Sequence, residues 1–230
     1  MADKWLVDAA RRYNQQSLEN KDSYPAIILM PIDTLNVLID WTFKSLPDEI
    51  LIGMDSNPDI KNPVEVEDNY MGSEFQNNLF AGQGYLLGEP HLVNRGDAFS
   101  VHHVPEEWND GLMENRGVRG GRFTHWLHTH PNAPAIPSMA DADAAQWTEG
   151  CDMILGVRFS PEGIFPWFEE MGEGRRKLSP EQKNRYLQGS KPYIGRAITG
   201  HIIHDLELIS FHKNGFGVNI ILTNAEGYPI

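Results

Sequence analysis

Hydrophobic positions along this chain fall in short runs broken by turn-forming residues, the pattern of a sheet-containing folded protein. AIILMP at 26–31 is a continuous apolar run of strand length, as expected of a buried strand. Leu35, Leu38, Ile39, Phe43 and Leu46 then recur at three- and four-residue steps. That spacing predicts an amphipathic helix over 33–46, capped by Asp33 and ended by Pro47. EILIGM (49–54) follows at once as a second strand.

Residues 1–22 are polar and read as a helix or arm, with the N-terminal unit drawn at 1–24. Residues 55–97 are rich in Asn, Gly, Pro and acidic groups, and form a long insertion with turns at SNPD, KNP, GQG and NRGD. FSVHHV (99–104) and FTHWLHTH (123–130) read as strands on either side of a Gly-rich loop. A helical stretch, SMADADAAQWTEG, comes next; MILGVRFS (153–160) and IFPWFEE (164–170) then read as a hairpin turning at 161–163. Residues 195–211 and 217–223 are two closing strands joined by HKNG, after a polar stretch at 171–192. The order predicts an α/β (α+β) fold with a mixed sheet flanked by helices. Residues 25–170 are its core, and 171–230 a C-terminal extension completing the same domain.

Composition narrows the chemistry. With 230 residues, one main domain is expected. The net charge of -13 opposes capture of nucleic-acid phosphates, although Arg116, Arg119 and Arg122 cluster, as do Arg175, Arg176 and Lys177. Cys151 is the single cysteine, so an intramolecular disulfide and a thiolate metal cluster are both excluded, and it reads as a buried structural thiol. No apolar leader or membrane-length run occurs, which makes a cytoplasmic protein without a membrane partner the expectation.

A metal would therefore use His, Asp or Glu, and one stretch supplies them: His128-Thr129-His130-Pro131, then Pro137-Ser138-Met139-Ala140-Asp141. Two histidines at i and i+2 on a strand share a face, about 6–7 Å apart along it, and can converge on one ion. Asp141 can add an oxygen from the first turn of the following helix. Three protein ligands leave one position open, the arrangement of a catalytic rather than a structural zinc. Taken alone, Ser138-x-x-Asp141 reads as a helix capping box.

The combined pattern, H-x-H-P with Ser138 seven positions after Pro131 and Asp141 three further on, resembles the signature of JAMM (MPN+) zinc metalloproteases. The resemblance implies a JAMM/MPN-like core over 25–170. It also implies one catalytic Zn2+ on His128, His130 and Asp141, and Ser138 as a stabiliser of the oxyanion. The family's general base lies on the strand after the first long helix, where this chain has Glu49, with Asp48 beside it. Many members carry glycine three residues after that glutamate; here Ile52 stands there and Gly53 follows. Glu65, Glu67 and Glu74 are weaker candidates for the base.

The implied function is a zinc isopeptidase or peptidase that removes ubiquitin or a ubiquitin-like modifier from lysine conjugates by zinc-activated water. Residues 55–97 are then a candidate substrate-recognition loop. Alternatives are a non-catalytic MPN scaffold, a RadC-like protein, or a cupin-like metal protein, the last disfavoured by the absence of a Glu soon after His130. His201 and His204 are expected to be structural, because i and i+3 on a strand face opposite ways. For the same reason His102 and His103 diverge, and His125 lies on the face away from His128.

Overall fold

The computed structural model describes residues 4–57, 60–77, 79, 84–97, 100–101, 123–160, 168–171, 174–177 and 194–230. In chain order the elements are α1 (Lys4–Glu19), β1 (Ile27–Pro31), α2 (Ile32–Ser45), β2 (Ile50–Met54), α3 (Val64–Tyr70), β3 (His91–Arg95), β4 (His125–Pro131), α4 (Met139–Ala145), β5 (Cys151–Ser160), β6 (Phe168–Met171), β7 (Gly174–Lys177), β8 (Gly195–Arg196), β9 (Ile202–His212) and β10 (Asn219–Thr223).

The strands make a mixed, curled sheet. Six hydrogen-bond in the order β3-β2-β4-β5-β9-β8, β1 pairs with β10 in parallel, and β6–β7 is a separate hairpin. Backbone bonds join the first two sheets. Leu29 N–H donates to the Tyr85 carbonyl and Leu87 N–H to that of Leu29, while Asn57 N–H reaches Leu86 and Gly88 N–H reaches Asp55. Segment 85–88 thus stitches β1 to the end of β2. Across the molecule, Val218 N–H donates to the Ser210 carbonyl and Phe211 bridges Gly217, which brings β10 against β9. The inner face is filled by the main core, which includes Ile28, Met30, Ile52, Leu127, Met153, Leu155 and Ile220. Each such side chain contributes about 1.5–3 kcal/mol by leaving water.

Helices close that core. On α2, Leu35, Leu38, Ile39, Thr42 and Ser45 are buried at three- and four-residue steps, the stripe the sequence predicts. Asp33 is not the cap: the helix begins at Ile32 after Pro31, and Asp33 sits in the first turn, where its charge favours the helix dipole. Nor is α1 an arm. It packs against β10, with Asn14 bonding both the N–H and the carbonyl of Leu222 and the Ser17 hydroxyl donating to the Ile220 carbonyl.

The turn-rich insertion 55–97 is partly built into the core, since Leu86 and Leu87 are buried in the stitching segment and Val66 and Tyr70 of α3 pack on Ile27, Leu29 and Ile221. Two further expectations change. The hairpin of 153–160 with 164–170 is absent among the described residues. Strand β5 has β4 on one edge and β9 on the other, leaving no edge for it, and β6 pairs with β7 instead. The run 195–211 is two antiparallel strands, β8 and β9, because the chain reverses at 197–201 with Gly200 at φ 90°. Most of the 99–104 strand lies outside the described residues, as do Arg116, Arg119, Arg122, His102 and His103. No helix among the described residues is long and apolar enough to cross a membrane.

Candidate metal centre

Strand alternation builds the site. On β4, Leu127 points into the main core, so Trp126, His128 and His130 take the opposite face. Pro131 and Asn132 end the strand, Asn132 in the left-handed region at φ 53° that asparagine tolerates. The chain then folds back over the same face into α4. Ala135 and Ala145 pack there on Ile154 and Phe211, which fixes the helix above the strands.

Three donor groups meet where β4 and α4 face each other. His128 Nε2 lies 3.0 Å from His130 Nε2, and the two nitrogens lie 3.2 Å and 3.5 Å from the Asp141 carboxylate oxygens. His130 Nδ1 donates to the Pro134 carbonyl at 3.0 Å, so in the neutral ring Nε2 keeps its lone pair for the site. Whatever these donors share must be positive, either a proton or a metal ion. Ligands held at about 2.0–2.1 Å around a tetrahedral ion stand about 3.3 Å from one another, so the observed separations fit a His-His-Asp metal site. Among the described residues, this is the one His/Cys/Asp/Glu group whose ligand atoms converge in this way.

The electrostatics agree. Burial alone would raise the Asp141 carboxyl, but hydrogen bonds to His128 and His130 outweigh it and hold the group far below the usual carboxylate range. Burial pushes His130 down, while Asp141, the Pro134 carbonyl and the charge of Glu49 together lift it above its ordinary value. Ser138 is the N-cap of α4: its hydroxyl oxygen accepts the Asp141 N–H at 3.2 Å, and Asp141 Oδ2 accepts the Ser138 N–H at 2.6 Å. This capping box aims the Asp141 carboxylate at the histidines.

Glu49 joins from the residue just before β2. Leu51 pairs with His128 in antiparallel register, and continuing it sets Glu49 level with His130. Glu49 is 8% exposed. Its carboxyl is pushed up to about 7, chiefly by burial, with Asp141 and Asp97 adding and His130 and the Val101 N–H opposing. Asp48 turns away and forms an ion pair with Arg95 at 2.8 Å. Glu65 and Glu67 belong to the first turn of α3, on a separate element.

Two further histidines among the described residues have their partners away from this group. His125 lies between Ser56 and Cys151, while His201 bonds Thr199 and packs edge-on to Phe159. Sequence reasoning overlooked Asp152, 2% exposed on the site face of β5. Its position inside an apolar strand run, CDMILGV, was the available clue.

No protein-family model matches this chain. No curated protein matches it either. Among solved structures it is similar to the solution structure of protein DSY2949 from Desulfitobacterium hafniense, at 13% identity and a TM-score of 0.37, over 86% of this chain and 94% of that one. At that TM-score the likeness lends no support to a fold or a function.

Proposed function

We propose that this chain is a zinc-dependent isopeptidase or peptidase of the JAMM (MPN+) type, with His128, His130 and Asp141 holding one zinc ion. The observation that carries the reading is the meeting of two imidazole nitrogens and a carboxylate at ligand spacing, with the buried Glu49 interacting electrostatically with His130 and Asp141. Zinc held there would supply the Lewis acidity that polarises a carbonyl and acidifies water. Hydrolysis adds one water across the amide C–N bond. Glu49 takes a proton from the attacking water and delivers it to the departing amine nitrogen. Ser138 Oγ already accepts the Asp141 N–H, so its own proton remains to donate toward the developing oxyanion.

The substrate class, lysine-linked conjugates of ubiquitin or a ubiquitin-like protein, rests on the resemblance of the His128–Asp141 signature to that family. Purified protein should carry about one equivalent of zinc and cleave at least one member of a panel of modifier conjugates, with chelator abolishing the cleavage. A chain that takes up no zinc under any loading condition would end this reading. Stoichiometric zinc without cleavage of any conjugate would favour the scaffold.

A further inference from the structure

We propose that Glu207 is a positioning residue for His130, acting through the peptide group between Pro134 and Ala135. The inference rests on the metal-centre reading above. Register sets up the geometry: His130 on β4 pairs with Gly156 on β5, and Gly156 pairs with Glu207 on β9. The histidine and the glutamate therefore stand in one row across the sheet, two strand spacings or about 9.6 Å apart. The residue between them has no side chain. A Cβ on Gly156 would lie 2.9 Å from Ala135 N and 3.2 Å from the Ala133 carbonyl oxygen, so the returning loop occupies that place in the row.

The loop lays one peptide group across the gap. Glu207 Oε2 accepts the Ala135 N–H at 3.0 Å, and the Pro134 carbonyl accepts the His130 Nδ1–H at 3.0 Å. That N–H and that C=O belong to the same planar trans peptide and so point in opposite directions, the N–H to Glu207 and the C=O to His130, with the Ile136 N–H sharing the carbonyl at 2.8 Å. A carboxylate on the N–H is a charge-assisted acceptor; it polarises the peptide and makes the carbonyl a stronger acceptor for the imidazole. The proton is thereby held on Nδ1, and Nε2 becomes the more basic ligand. Other contacts hold the loop itself: Asn132 donates its N–H to the Val157 carbonyl and accepts the Phe159 N–H on Oδ1. Loss of the Glu207 charge is then separable from loss of the loop.

The test uses the full chain as wild type, Glu207→Gln, Glu207→Ala and Asp205→Asn, the last a control on the same strand. Co2+ affinity is measured by chelator competition, and long-range 1H–15N correlations on the metal-free proteins read the His130 tautomer. Glu207→Ala should weaken Co2+ roughly 10–100-fold, the range for loss of an outer partner of a metal ligand. Glu207→Gln keeps an acceptor for Ala135 but no charge; it should fall between Glu207→Ala and wild type with unchanged thermal stability. Both should lose Nδ1–H population, and Asp205→Asn should match wild type. Wild-type affinity and tautomer in both Glu207 variants would overturn the proposal, and so would full rescue by Gln, which would leave only a structural hydrogen bond. A wild-type chain that binds no Co2+ overturns the metal centre instead, and the tautomer measurement still decides the relay.

Discussion

Strand β4 carries two histidine centres three residues apart in sequence, and the contrast between them shows what turns a histidine into a site. His125 is fully buried. The Cys151 N–H donates to its Nδ1 at 3.1 Å, leaving Nε2 as the donor to the Ser56 hydroxyl at 2.9 Å. The fit needs Gly150, where a Cβ would lie 2.4 Å from Nδ1. Cys151 Sγ is also only 3.2 Å from that nitrogen, a spacing suited to a nucleophile and its base. Burial defeats that chemistry, pushing the imidazole down to about 4 and the thiol up to about 12, so both stay neutral. His128 and His130 have the opposite arrangement, with Nε2 atoms turned toward each other and toward a carboxylate. Residue types are shared between the two centres; the partners decide which is closed and which can take a cation.

The largest expected effect comes from breaking the open centre. His128→Ala and His130→Ala should each release the metal, because the two remaining ligands compete poorly with water and chelators, and activity should vanish with it. His125→Ala is the opposite arm: zinc content should stay near wild type while stability falls by about 2–4 kcal/mol, as for other buried truncations. Metal analysis and denaturant unfolding read the two arms, and zinc loss in His125→Ala would erase the distinction. Next in size is Glu49→Gln, which keeps shape but cannot accept a proton. Zinc should remain, and kcat should drop roughly 10²–10⁴-fold with little change in KM.

How much of this was legible in the sequence follows from how local each feature is. The α2 stripe and the β1, β2 and β4 runs are set by spacing within a few residues, and all appear close to the predicted bounds. The convergence of His128, His130 and Asp141 was legible because strand period, a short return loop and a capping box are local rules too. Pairing was not. That β5 would be enclosed by β4 and β9, or that 85–88 would stitch β1 to β2, depends on contacts far apart in sequence. Glu207 was invisible for the same reason, since only the register across Gly156 brings it to Ala135.

Asp152 sharpens the comparison from a third side, since it shares the site face of the sheet yet is closed off like His125. It lies between Trp126 and Phe211 in register, and its Oδ2 has no hydrogen-bond partner. Burial raises its carboxyl to about 7, with Asp141 adding and Thr148 opposing. The folded state therefore holds this proton more tightly than the unfolded chain, whose value is near 3.8. Its contribution is neutral below that value, turns destabilising as pH rises toward 7, and levels off above. Asp152→Asn cannot ionise, so it should gain stability over wild type between pH 4 and 8, by up to about 4 kcal/mol for the full shift. Unfolding of the metal-free proteins across that range provides the measurement, and a constant difference would mean the carboxyl titrates normally.

The smallest effect should come from Asp48→Asn, and its smallness is informative because Asp48 and Glu49 are chain neighbours with the same functional group. Their side chains alternate. Glu49 is buried level with His130, whereas Asp48 Oδ2 takes Arg95 Nε at 3.0 Å and Nη2 at 2.8 Å, with the two side chains 31% and 57% exposed. An ion pair that open to water contributes about 0.2–1 kcal/mol and is screened by salt. Asp48→Asn should therefore lower stability by no more than that, with the loss fading at high ionic strength, and leave kcat/KM within about twofold of wild type. Steady-state kinetics on both variants side by side decides the matter. If Asp48→Asn lost as much turnover as Glu49→Gln, the alternation of the two carboxylates could not be what selects the base.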